Sequence, residues 1–574
     1  MSSSSLRVRG RFALGMWCLL ALAVPAQTLE ITHVGQAFDY LGTSVAVVGD
    51  IDQDGIFDYA MGAPGWPGTA NPNGRVDVRS GAAHGLIRSH AGTQLAQDFG
   101  RSVARIGDVD LDGVPDYAIG SPMDHAFGFG HGSVRMFSGA TGAPLWARGG
   151  SYSAGRFGES IAAAGDVDAD GVPDVIATEP NALLPLGGRA WVMSGTNGVT
   201  LHSIEVTAPT GGRVDAVAGG ADLDHDGHAD VLIGSCTGGT TCNGIAGAAS
   251  VRVVSGATGA LIHLHVGNGE DAFGAAVEFT DDLDGDGIDD YAIGAPWTDL
   301  SGAANAGRVS VYSGATHAAF LTLDGLLAND RFGSDIRGRC DLDGDGATDL
   351  VVSAPWADTP NGVNTGTVTI VTASGTPIAV FHGSALDQNA GFGSAIDCLT
   401  APCVRGKLLI GIPECSAIAN RAGAVYVLET SAFGVPASVV NLGTSCGLPL
   451  EPVLSSTPPV LGQPVTISVQ SVFPNALLFL AVSFAPVAPL VIPTSPPCTV
   501  YVDAVNPANF FLFPTAFTDP TGAWSLTLSL PPPPAALGVE VILQVRLCAP
   551  AGPPGPLSPD WLSNGLRLRF GCPL

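Results

Sequence analysis

Six loops of the sequence place aspartates at a spacing that suits a divalent cation. In the second loop, Asp108, Asp110 and Asp112 occupy positions 1, 3 and 5, Gly113 occupies position 6, and Asp116 occupies position 9. Ca²⁺ takes six to eight oxygen ligands from carboxylates and backbone carbonyls, and the glycine permits the sharp turn between them. Four carboxylates in one short loop repel one another unless a cation lies between them. We therefore predict a calcium site in each loop.

The predicted ligands are the side chains at positions 1, 3, 5 and 9 and the backbone carbonyl at position 7. In chain order they are Asp50, Asp52, Asp54, Ile56, Asp58, Asp108, Asp110, Asp112, Val114, Asp116, Asp166, Asp168, Asp170, Val172, Asp174, Asp222, Asp224, Asp226, His228, Asp230, Asp282, Asp284, Asp286, Ile288, Asp290, Asp341, Asp343, Asp345, Ala347 and Asp349. An isolated loop of this kind is also compatible with a solvated acidic turn, but six copies in phase favour about six structural Ca²⁺ sites. Mg²⁺ fits less well because it prefers fewer protein ligands and more water.

The loops recur every 56 to 60 residues, and each lies in a repeat unit with the same motifs. A pair such as Phe99-Gly100 precedes a short apolar strand and the loop. A second strand ends in a turn such as Gly120-Ser121-Pro122, and a third strand ends in a hairpin turn such as Ser138-Gly139. A fourth strand completes the unit. Four short antiparallel strands, repeated radially, predict the blades of a β-propeller.

A seventh unit, from Phe392 to about Glu429, keeps the flanking motifs but lacks the carboxylates. We expect a disulfide to replace the cation there, and Cys398 and Cys403 are close enough to form it. The stretch Thr28 to Gly35 aligns with the fourth strand of the first unit and is expected to complete blade seven, which leaves no exposed sheet edge. Residues 27–430 are thus predicted to form an all-β, seven-bladed propeller.

The two ends of the chain differ from the repeats. Residues 1–26 read as a signal peptide, because three arginines precede an apolar run, Phe12 to Val24, that is too short to span a bilayer. This predicts a secreted or cell-surface protein. Residues 431–445 read as a linker. Residues 446–574 carry segments with period-two alternation, such as Val465 to Val469, and predict a small C-terminal β-sandwich-like domain.

Charge and cysteine content limit the partners and the compartment. The net charge of −28 disfavours nucleic acid and anionic membranes. No later segment has transmembrane length, and we expect a monomer. Ten cysteines remain after the signal peptide, as expected for a disulfide-forming compartment. Cys236 and Cys242 are close enough to pair. The last four, which we expect to pair among themselves, are Cys446, Cys498, Cys548 and Cys572.

Three motifs in fixed order identify a family resemblance. Phe-Gly, then Asp-x-Asp-x-Asp-Gly-x-x-Asp, then Gly-Ala-Pro resembles the FG-GAP repeat of the N-terminal β-propellers of integrin alpha subunits, over about Thr28 to Leu428. The resemblance implies a seven-bladed propeller with calcium in hairpin loops on one face. In integrins this fold serves adhesion and partner binding. No transmembrane helix or leg region follows here, so the integrin partner is not carried over.

The first functional hypothesis is a calcium-stabilised binding or adhesion module for an extracellular protein or glycan. Rigid propellers present variable loops, and Trp66 and Trp297 are candidate anchors. The candidate contact loops are Trp66 to Asn73, Asp124 to His131, Thr237 to Asn243 and Trp297 to Asn305. A purely structural cell-envelope protein differs from this hypothesis only in its partner.

The alternative hypothesis is an extracellular polysaccharide lyase or hydrolase. The sequence has no His-Glu-x-x-His, and its one Gly-x-Ser-x-Gly match, Gly443 to Gly447, lies outside the propeller repeats, where no strand-to-helix turn is predicted. Glu159, Glu179 and Glu270 lie in different repeats, although carboxylates from different blades can converge in a central channel. The histidines expected at the surface rather than as side-chain ligands are His33, His90, His225 and His228. With no catalytic motif, we expect a protein that is not an enzyme.

Overall fold

The structure is a computed structural model, and it describes the propeller region almost completely. The described residues are 28–68, 73–182, 187–207, 212–236, 249–343, 347–384, 387–401, 404–416 and 420–429, together with the backbone of the C-terminal strands. The predicted signal peptide therefore lies outside the described residues. So do Asp345, Cys242, Cys403 and the whole loop from Thr237 to Asn243.

Seven four-stranded antiparallel sheets form the repeat region, as the sequence predicts. The first strand of the chain is β1 (Thr28–Val34). Blade 1 contains β2 (Ser44–Gly49), β3 (Asp58–Ala63), β4 (Arg75–Arg79) and β5 (Leu86–Ala91). Blade 2 contains β6 (Ser102–Gly107), β7 (Asp116–Ser121), β8 (Ser133–Phe137) and β9 (Pro144–Gly149). Blade 3 contains β10 (Ile161–Gly165), β11 (Asp174–Glu179), β12 (Gly187–Met193) and β13 (Thr200–Thr207).

The remaining blades follow the same strand order. Blade 4 contains β14 (Arg213–Ala221), β15 (Asp230–Cys236), β16 (Ser250–Val254) and β17 (Leu261–Val266). A 3-10 helix (Gly269–Asp271) precedes blade 5, which contains β18 (Ala276–Phe279), β19 (Tyr291–Ala295), β20 (Arg308–Tyr312) and β21 (Ala319–Asp324). Blade 6 contains β22 (Ile336–Cys340), β23 (Asp349–Ala354), β24 (Thr367–Val371) and β25 (Pro377–His382). Blade 7 contains β26 (Ala395–Ala401), β27 (Val404–Ile412) and β28 (Ala424–Glu429).

The N-terminal strand closes the ring, which confirms the sequence prediction. Strand β1 pairs antiparallel with β28, with Thr28 opposite Glu429 and Val34 opposite Ala424, and so supplies the outer strand of blade 7. This strand pairing is reinforced by Lys407, which is the only lysine of the sequence and is fully buried. The Lys407 ammonium donates to the Glu30 carboxylate (2.6 Å) and to the carbonyl of Gly81 in blade 1 (3.1 Å).

The hydrophobic core consists of layers between neighbouring blades rather than one central cluster. In the layer between blades 1 and 2, Val76 and Val78 pack with Phe99 and Ile119. An equivalent layer joins blade 7 to blade 1 through Leu409 and the buried valines of both blades. Burying side chains of this size contributes about 1.5–3 kcal/mol each, so every blade depends on both of its neighbours.

The Phe-Gly and Gly-Ala-Pro motifs meet at these blade interfaces. The backbone N–H of Gly100 donates to the carbonyl of Gly120 in its own blade, and Phe99 forms a bridge to Gly74 of the preceding blade. A Cβ at Gly120 would lie 2.2 Å from the carbonyl oxygen of Gly158 in the next blade. The same contact recurs between Gly411 of blade 7 and Gly42 of blade 1, so these glycines permit close approach of the blades.

We expect the substitution Gly120→Ala to lower the free energy of unfolding by about 1–3 kcal/mol, because the new methyl group meets a backbone carbonyl that cannot move without separating two blades. Gly85→Ala is the matched control, since a Cβ at Gly85 meets no atom within 4 Å. Urea denaturation of both variants measures the difference. Equal midpoints for the two variants would contradict the close-approach explanation.

The structure corrects one disulfide prediction. Cys398 is bonded to Cys340, not to Cys403, and the bond joins the first strands of blades 6 and 7 across 6.3 Å between Cα atoms. The two cysteines are 58 residues apart, which is one repeat period. The bond therefore links neighbouring blades instead of closing a loop within blade 7. The proposed pairing of the four C-terminal cysteines, and of Cys236 with Cys242, falls outside the described side chains.

The described segments of the C-terminal part are also β-strands. Its strands are β29 (Ser438–Asn441), β30 (Val453–Ser456), β31 (Pro464–Gln470), β32 (Leu477–Phe484), β33 (Ala488–Ile492), β34 (Cys498–Val502), β35 (Phe510–Phe517), β36 (Ala523–Ser529), β37 (Glu540–Cys548), β38 (Trp561–Leu562) and β39 (Leu566–Arg569). They form sheets of six, three and two strands. Strand β29 lies within 431–445, the predicted linker, and pairs with β39.

Candidate functional site

The aspartate loops bring carboxylates together as the spacing predicts. In five loops, one carboxylate oxygen from each of positions 1, 3 and 9 lies within 4.8 Å of the others. These groups are Asp50, Asp52 and Asp58; Asp108, Asp110 and Asp116; Asp166, Asp168 and Asp174; Asp222, Asp224 and Asp230; and Asp282, Asp284 and Asp290. Each group joins an exposed carboxylate at position 3 to a buried one at position 9. In the sixth loop, Asp341, Asp343, Ala347 and Asp349 are described.

Backbone N–H groups of the loop hold the carboxylates at positions 1 and 5. The two oxygens of Asp50 accept from the N–H groups of Asp54 (3.0 Å) and Gly55 (2.9 Å). Oδ1 of Asp54 accepts from the N–H of Ile56 (2.9 Å). The same bonds recur in the loops that begin at Asp108 and Asp166. The loop backbone therefore orients these carboxylates, and in the first and fifth loops a serine of the turn between strands three and four, Ser80 or Ser313, also donates to the position-5 carboxylate.

The aspartate at position 9 has a second role that the sequence did not reveal. Oδ2 of Asp116 accepts from the N–H of Val109 (2.7 Å), while Oδ1 accepts from the N–H of Gly139 (2.7 Å) in the Ser-Gly turn between strands three and four. A Cβ at Gly139 would lie 1.9 Å from the carbonyl oxygen of Pro115, so this turn requires glycine. The carboxylate thus ties the aspartate loop to the far hairpin of its own blade.

Burial raises the pKa of this position-9 carboxyl to about 6 in five loops, although the backbone N–H donors oppose the shift. The five residues are Asp58, Asp116, Asp174, Asp230 and Asp290. Nearby carboxylates of the same loop push the pKa in the same direction as burial. A carboxylate held in this way binds a cation strongly, because the cation attracts the carboxylates of the loop, which otherwise repel one another.

Neighbouring loops touch one another around the ring. Val114 at position 7 of the second loop packs with Ile51 of the first, and Val172 of the third packs with Val109 of the second. His228 at position 7 of the fourth loop forms a hydrogen bond through Nδ1 to the carbonyl of Val167 in the third (2.7 Å). Position 7 is predicted to supply a backbone carbonyl to the cation. The side chains at this position also connect successive loops.

Position 4 of the loop adopts a left-handed backbone conformation, which the sequence did not signal. The values of φ are +60° at Gln53, +60° at Leu111, +58° at Ala169 and +59° at His225. The fifth and sixth loops have a glycine at this position, Gly285 and Gly344. Left-handed geometry costs roughly 1–2 kcal/mol for most residues other than glycine, asparagine and aspartate. The geometry of the carboxylates is thus maintained against local backbone strain.

We expect Leu111→Asn to raise the free energy of unfolding by about 1 kcal/mol, because asparagine tolerates the left-handed conformation and Leu111 is 70% exposed. Gly285→Ala is the reverse substitution at the equivalent position of the fifth loop, where a Cβ meets no atom within 4 Å. It should lower the free energy of unfolding by a similar amount. Calcium is kept saturating while both variants are melted. A loss of stability in Leu111→Asn would contradict the strain argument.

The described parts of the predicted contact loops lie on the face opposite the aspartate loops, because they follow the second strand of each blade rather than the first. Trp66 and Trp297, predicted as anchors, are half-buried, and guanidinium groups of the same chain cover them. Arg75 lies 5.2 Å from the Trp66 ring centroid, and Arg331 lies 4.4 Å from that of Trp297. Because arginines already occupy their ring faces, these tryptophans are less available to a partner than the sequence suggested.

A different set of side chains is exposed on this face. Leu95 (63% exposed), Phe127 (46%), Phe129 (74%) and Tyr152 (38%) come from three loops over blades 1 to 3, and we name them the apolar crest. The Arg189 guanidinium lies 5.2 Å from the Tyr152 ring centroid, so one face of this ring is already covered. Phe129 stacks on His125, with ring centroids 5.1 Å apart. The sequence contains a signal for this surface, because glycine alternates with aromatic residues from Ala126 to Gly132. This segment overlaps the predicted contact loop Asp124 to His131, but the prediction placed the anchors at the tryptophans.

Hydrogen bonds make the crest rigid. Asp124, at the base of the loop, is fully buried and accepts from Ser133 Oγ (2.6 Å) and from Arg135 (2.8 Å). The N–H of Ala154, in the loop of Tyr152, donates to the carbonyl of Phe129 (3.0 Å). The loops that carry the crest are therefore fixed relative to one another.

The glutamates considered for catalysis are engaged in structural contacts. Glu159, at the channel mouth, forms hydrogen bonds with Arg101 (3.2 Å) and Arg156 (2.7 Å). Glu179 is fully buried and accepts from the Trp191 indole N–H (2.9 Å) and from two backbone N–H groups. Glu270 is exposed on the 3-10 helix. The structure does not bring these three carboxylates together.

The first strands of all seven blades line a central channel with a cavity volume of about 450 Å³. Arg337 is its main ion-pairing centre. It contacts the carboxylates of Asp335 (2.8 Å), Asp397 (3.1 Å) and Glu278 (3.7 Å). Burial raises the pKa of Glu278 to about 7, although Arg337 opposes the shift. Burial lowers the pKa of Arg337, but its three carboxylate neighbours raise it further, so this guanidinium remains charged.

Three of the four histidines expected at the surface, His33, His90 and His228, are half-buried. His33 Nε2 and His90 Nε2 each lie 2.7 Å from a tyrosine hydroxyl, of Tyr59 and Tyr117 respectively. Burial lowers the pKa of both imidazoles to about 4, so they are neutral at physiological pH. They join the outer strand of one blade to the second strand of the next. His225 is exposed, as expected.

Comparison with known proteins agrees with this geometry. The FG-GAP repeat family matches residues 157–193, 273–312 and 332–371, which lie in blades 3, 5 and 6. Human (Homo sapiens) integrin alpha-IIb is 32% identical over 235 residues, covering 38% of this chain and 22% of the integrin. Chicken (Gallus gallus) integrin alpha-V is 30% identical over 218 residues, covering 35% and 20%.

Integrin alpha pat-2 of Caenorhabditis briggsae is 32% identical over 225 residues, covering 34% of this chain and 18% of the relative. The chain thus spans about a fifth of the length of the curated relatives that it matches. The protein is an integrin alpha-like FG-GAP repeat protein with a seven-bladed β-propeller. In the described part of the chain, no helix has the length and apolar character needed to cross a bilayer.

Proposed function

We propose that the protein is a secreted or cell-surface binding module, with no catalytic activity, whose propeller is stabilised by calcium in about six loops. The apolar crest is the observation that carries the binding function. Leu95, Phe127 and Phe129 are exposed on rigid loops beside the partly covered Tyr152, and such clusters mark interaction sites. The partner is an extracellular protein or glycan.

Calcium acts as a structural cofactor in this proposal. The groups of three carboxylates at positions 1, 3 and 9 supply hard oxygen ligands, and the position-5 carboxylate and the position-7 carbonyl complete the set. Each ion ties strands one and two of a blade together, and the position-9 carboxylate extends this link to the hairpin between strands three and four. Calcium therefore supports the scaffold, while the opposite face is free to bind.

The contact surface that we propose differs from the tryptophan anchors expected from sequence. Phe127 and Phe129 project from one loop, and Leu95 and Tyr152 flank them. Rigid aromatic groups lose little conformational entropy on binding and are frequent hot spots. The matched integrin alpha relatives are compatible with a binding role, and the domain boundaries of the sequence analysis remain part of the proposal.

The test combines a partner search with crest variants. The purified mature chain is screened in 1 mM calcium against a glycan array and a panel of extracellular proteins, and the affinity of each hit is measured by biolayer interferometry. Phe127→Ala/Phe129→Ala is expected to weaken binding by roughly 30-fold or more. Leu86→Ala, an equally exposed leucine on an outer strand, is the control.

Two results would contradict the proposal. Binding that is unaffected by the crest variant but lost in the outer-strand variant would place the contact surface elsewhere. Turnover of any glycan polymer by the wild-type chain, lost in a channel variant, would show that the protein is an enzyme.

A further inference from the structure

Three histidines meet at the outer edge of the contact between blades 4 and 5, and we name them the histidine cluster. His263 and His265 are two residues apart on β17 and therefore share one face of that strand. His317 lies in the turn between β20 and β21 of the next blade. The centroid of the His263 ring lies 4.5 Å from the centroid of each of the other two rings. All three side chains are half-buried, so solvent reaches the cluster.

One tyrosine holds two of these rings. The Tyr291 hydroxyl lies 2.8 Å from Nε2 of His265 and 3.0 Å from Nδ1 of His317. Its oxygen has two lone pairs and can accept a hydrogen bond from both rings, which leaves Nδ1 of His265 and Nε2 of His317 available as ligands. An imidazole that binds a metal usually donates its other N–H to an oxygen, which fixes the orientation and the tautomer of the ring.

His263 departs from the contact that its counterparts make. Arg88, Trp146 and His202 occupy the equivalent position in the outer strands of blades 1 to 3, directly after the register shift of the strand pairing. Each forms a hydrogen bond with a backbone carbonyl in the turn of the next blade. The described residues provide no such partner for His263, which stacks on His317 instead. No hydrogen bond therefore opposes a rotation of its ring toward an ion.

His317 stands where three other blades have glycine. At this position of the turn, the backbone N–H donates to the serine carbonyl four residues earlier. The residues of blades 2 to 4 are Gly142, Gly198 and Gly259, with φ between +69° and +72°. His317 keeps the left-handed conformation, with φ of +56°, although a side chain disfavours it. Strain of this kind is a reason to ask what the side chain does, and here it completes the cluster.

The contact between blades 7 and 1 provides an internal comparison. His33 and His84 lie 2.7 Å and 3.1 Å from the hydroxyl of Tyr59, as His265 and His317 do from that of Tyr291. The position of His263 is taken there by Ile31, which also follows a register shift. A pair of histidines on a tyrosine thus serves packing in both places. The third histidine distinguishes the contact between blades 4 and 5.

The type and the protonation of these ligands suit a transition metal. Neutral imidazole is a preferred ligand of Zn²⁺, Cu²⁺ and Ni²⁺, whereas the oxygens of the aspartate loops suit Ca²⁺. Burial lowers the pKa of His265 to about 4 and also lowers that of His317, and neighbouring imidazoles act in the same direction. Both rings are therefore neutral at physiological pH, and a metal ion does not have to displace protons from them.

We propose that the histidine cluster binds a divalent transition-metal ion such as Zn²⁺, which ties the outer strand of blade 4 to the turn of blade 5. Three imidazoles supply three of the four positions of tetrahedral zinc, and water supplies the fourth. This site is separate from the aspartate loops and from the apolar crest, and it does not depend on the binding function proposed for the crest.

Calorimetric titration of the mature chain with zinc chloride tests the site, with calcium kept saturating so that the aspartate loops are loaded. We expect saturable binding of one equivalent of zinc, and a melting temperature that rises by about 3 °C when zinc is present at about 100 times its Kd. His263→Gln should weaken zinc binding roughly 100-fold or more, because it removes a ligand. Tyr291→Phe should weaken it roughly 10- to 100-fold, because two rings lose the oxygen that orients them.

The control is His382→Gln, because His382 is an exposed histidine on β25, the outer strand of blade 6. It should bind zinc as the wild type does. Without zinc, His263→Gln should melt close to the wild-type temperature, which shows that its loss of binding does not come from misfolding. The proposal is overturned if zinc shows no saturable binding, or if His263→Gln binds zinc as tightly as the wild type, which would place the ion elsewhere in the chain.

Discussion

Removing calcium is expected to lower the free energy of unfolding of the propeller by about 8 kcal/mol and its melting temperature by about 10 °C. A site with a Kd near 10⁻⁴ M contributes about 1.4 kcal/mol at 1 mM calcium, and six loops act together. The physical reason is the cluster of carboxylates at positions 1, 3 and 9, which repel one another within 4.8 Å once the cation leaves. Differential scanning calorimetry in 1 mM calcium and in excess EGTA measures the change.

Single-loop variants separate metal binding from general charge effects. Asp168→Asn removes one exposed ligand and should reduce the calcium-dependent stabilisation by about 1 kcal/mol. In EGTA the same variant should melt at or slightly above the wild-type temperature, because it removes repulsion. Glu270→Gln, an exposed acid outside the loops, should leave the calcium effect unchanged. A melting temperature that does not respond to EGTA would contradict the proposed role of calcium.

Replacing Arg337 by glutamine is expected to cost about 3–5 kcal/mol at pH 8, because it leaves three carboxylates in the channel without their shared cation. Two of these carboxylates also hold backbone N–H groups of neighbouring blades, so the loss loosens the ring where blades 6, 7 and 1 meet. Urea denaturation of wild type and variant at matched pH gives the difference in the free energy of unfolding.

The pH dependence of the loss distinguishes the role of Arg337 in pairing carboxylates from a simple loss of packing, which would not change with pH. Burial raises the pKa of Asp335 and Asp397 and brings that of Glu278 to about 7. A carboxyl whose folded-state pKa is raised favours folding as the pH falls through it. Without Arg337 these groups take up protons more readily, so the cost of the substitution should shrink between pH 8 and pH 5.

Arg308→Gln is the matched control, because its ion pair with Asp324 is exposed and should contribute less than about 1 kcal/mol. A similar loss for Arg308→Gln and Arg337→Gln, or a loss for Arg337→Gln that is independent of pH, would contradict the role assigned to the channel cluster.

The sequence alone was sufficient to predict the propeller, because the same motifs recur in the same order and each unit supports the assignment of the others. Phe-Gly, the aspartate loop and Gly-Ala-Pro recur in order, so the four strands of each blade and the closing role of Thr28 to Gly35 follow from alignment of the units. The structure confirms this closure through the pairing of β1 with β28. Even the fourth unit, where Arg213 and Val214 replace Phe-Gly, forms a complete blade.

Several features depend on contacts between units and were not readable from any one unit. The bond between Cys340 and Cys398 joins neighbouring blades, although a shorter separation favoured Cys403. The hydrogen bond from Gly139 to Asp116 joins a loop and a turn 23 residues apart. Only a folded blade brings such groups together, and only the ring places Glu278, Arg337 and Asp397 of three different blades in one channel.

In the aspartate loops, the local sequence and the tertiary structure determine different properties. Their spacing determined the chemistry, because carboxylates at positions 1, 3, 5 and 9 with glycine at 6 have few uses other than holding a cation. Tertiary structure decided which face of the ring they occupy and therefore which face is free. It also decided which aromatic residues are exposed there, since Arg75 and Arg331 cover the tryptophans and leave Phe129 uncovered. Ligand type follows from local spacing, whereas exposure depends on neighbours that are distant in the chain.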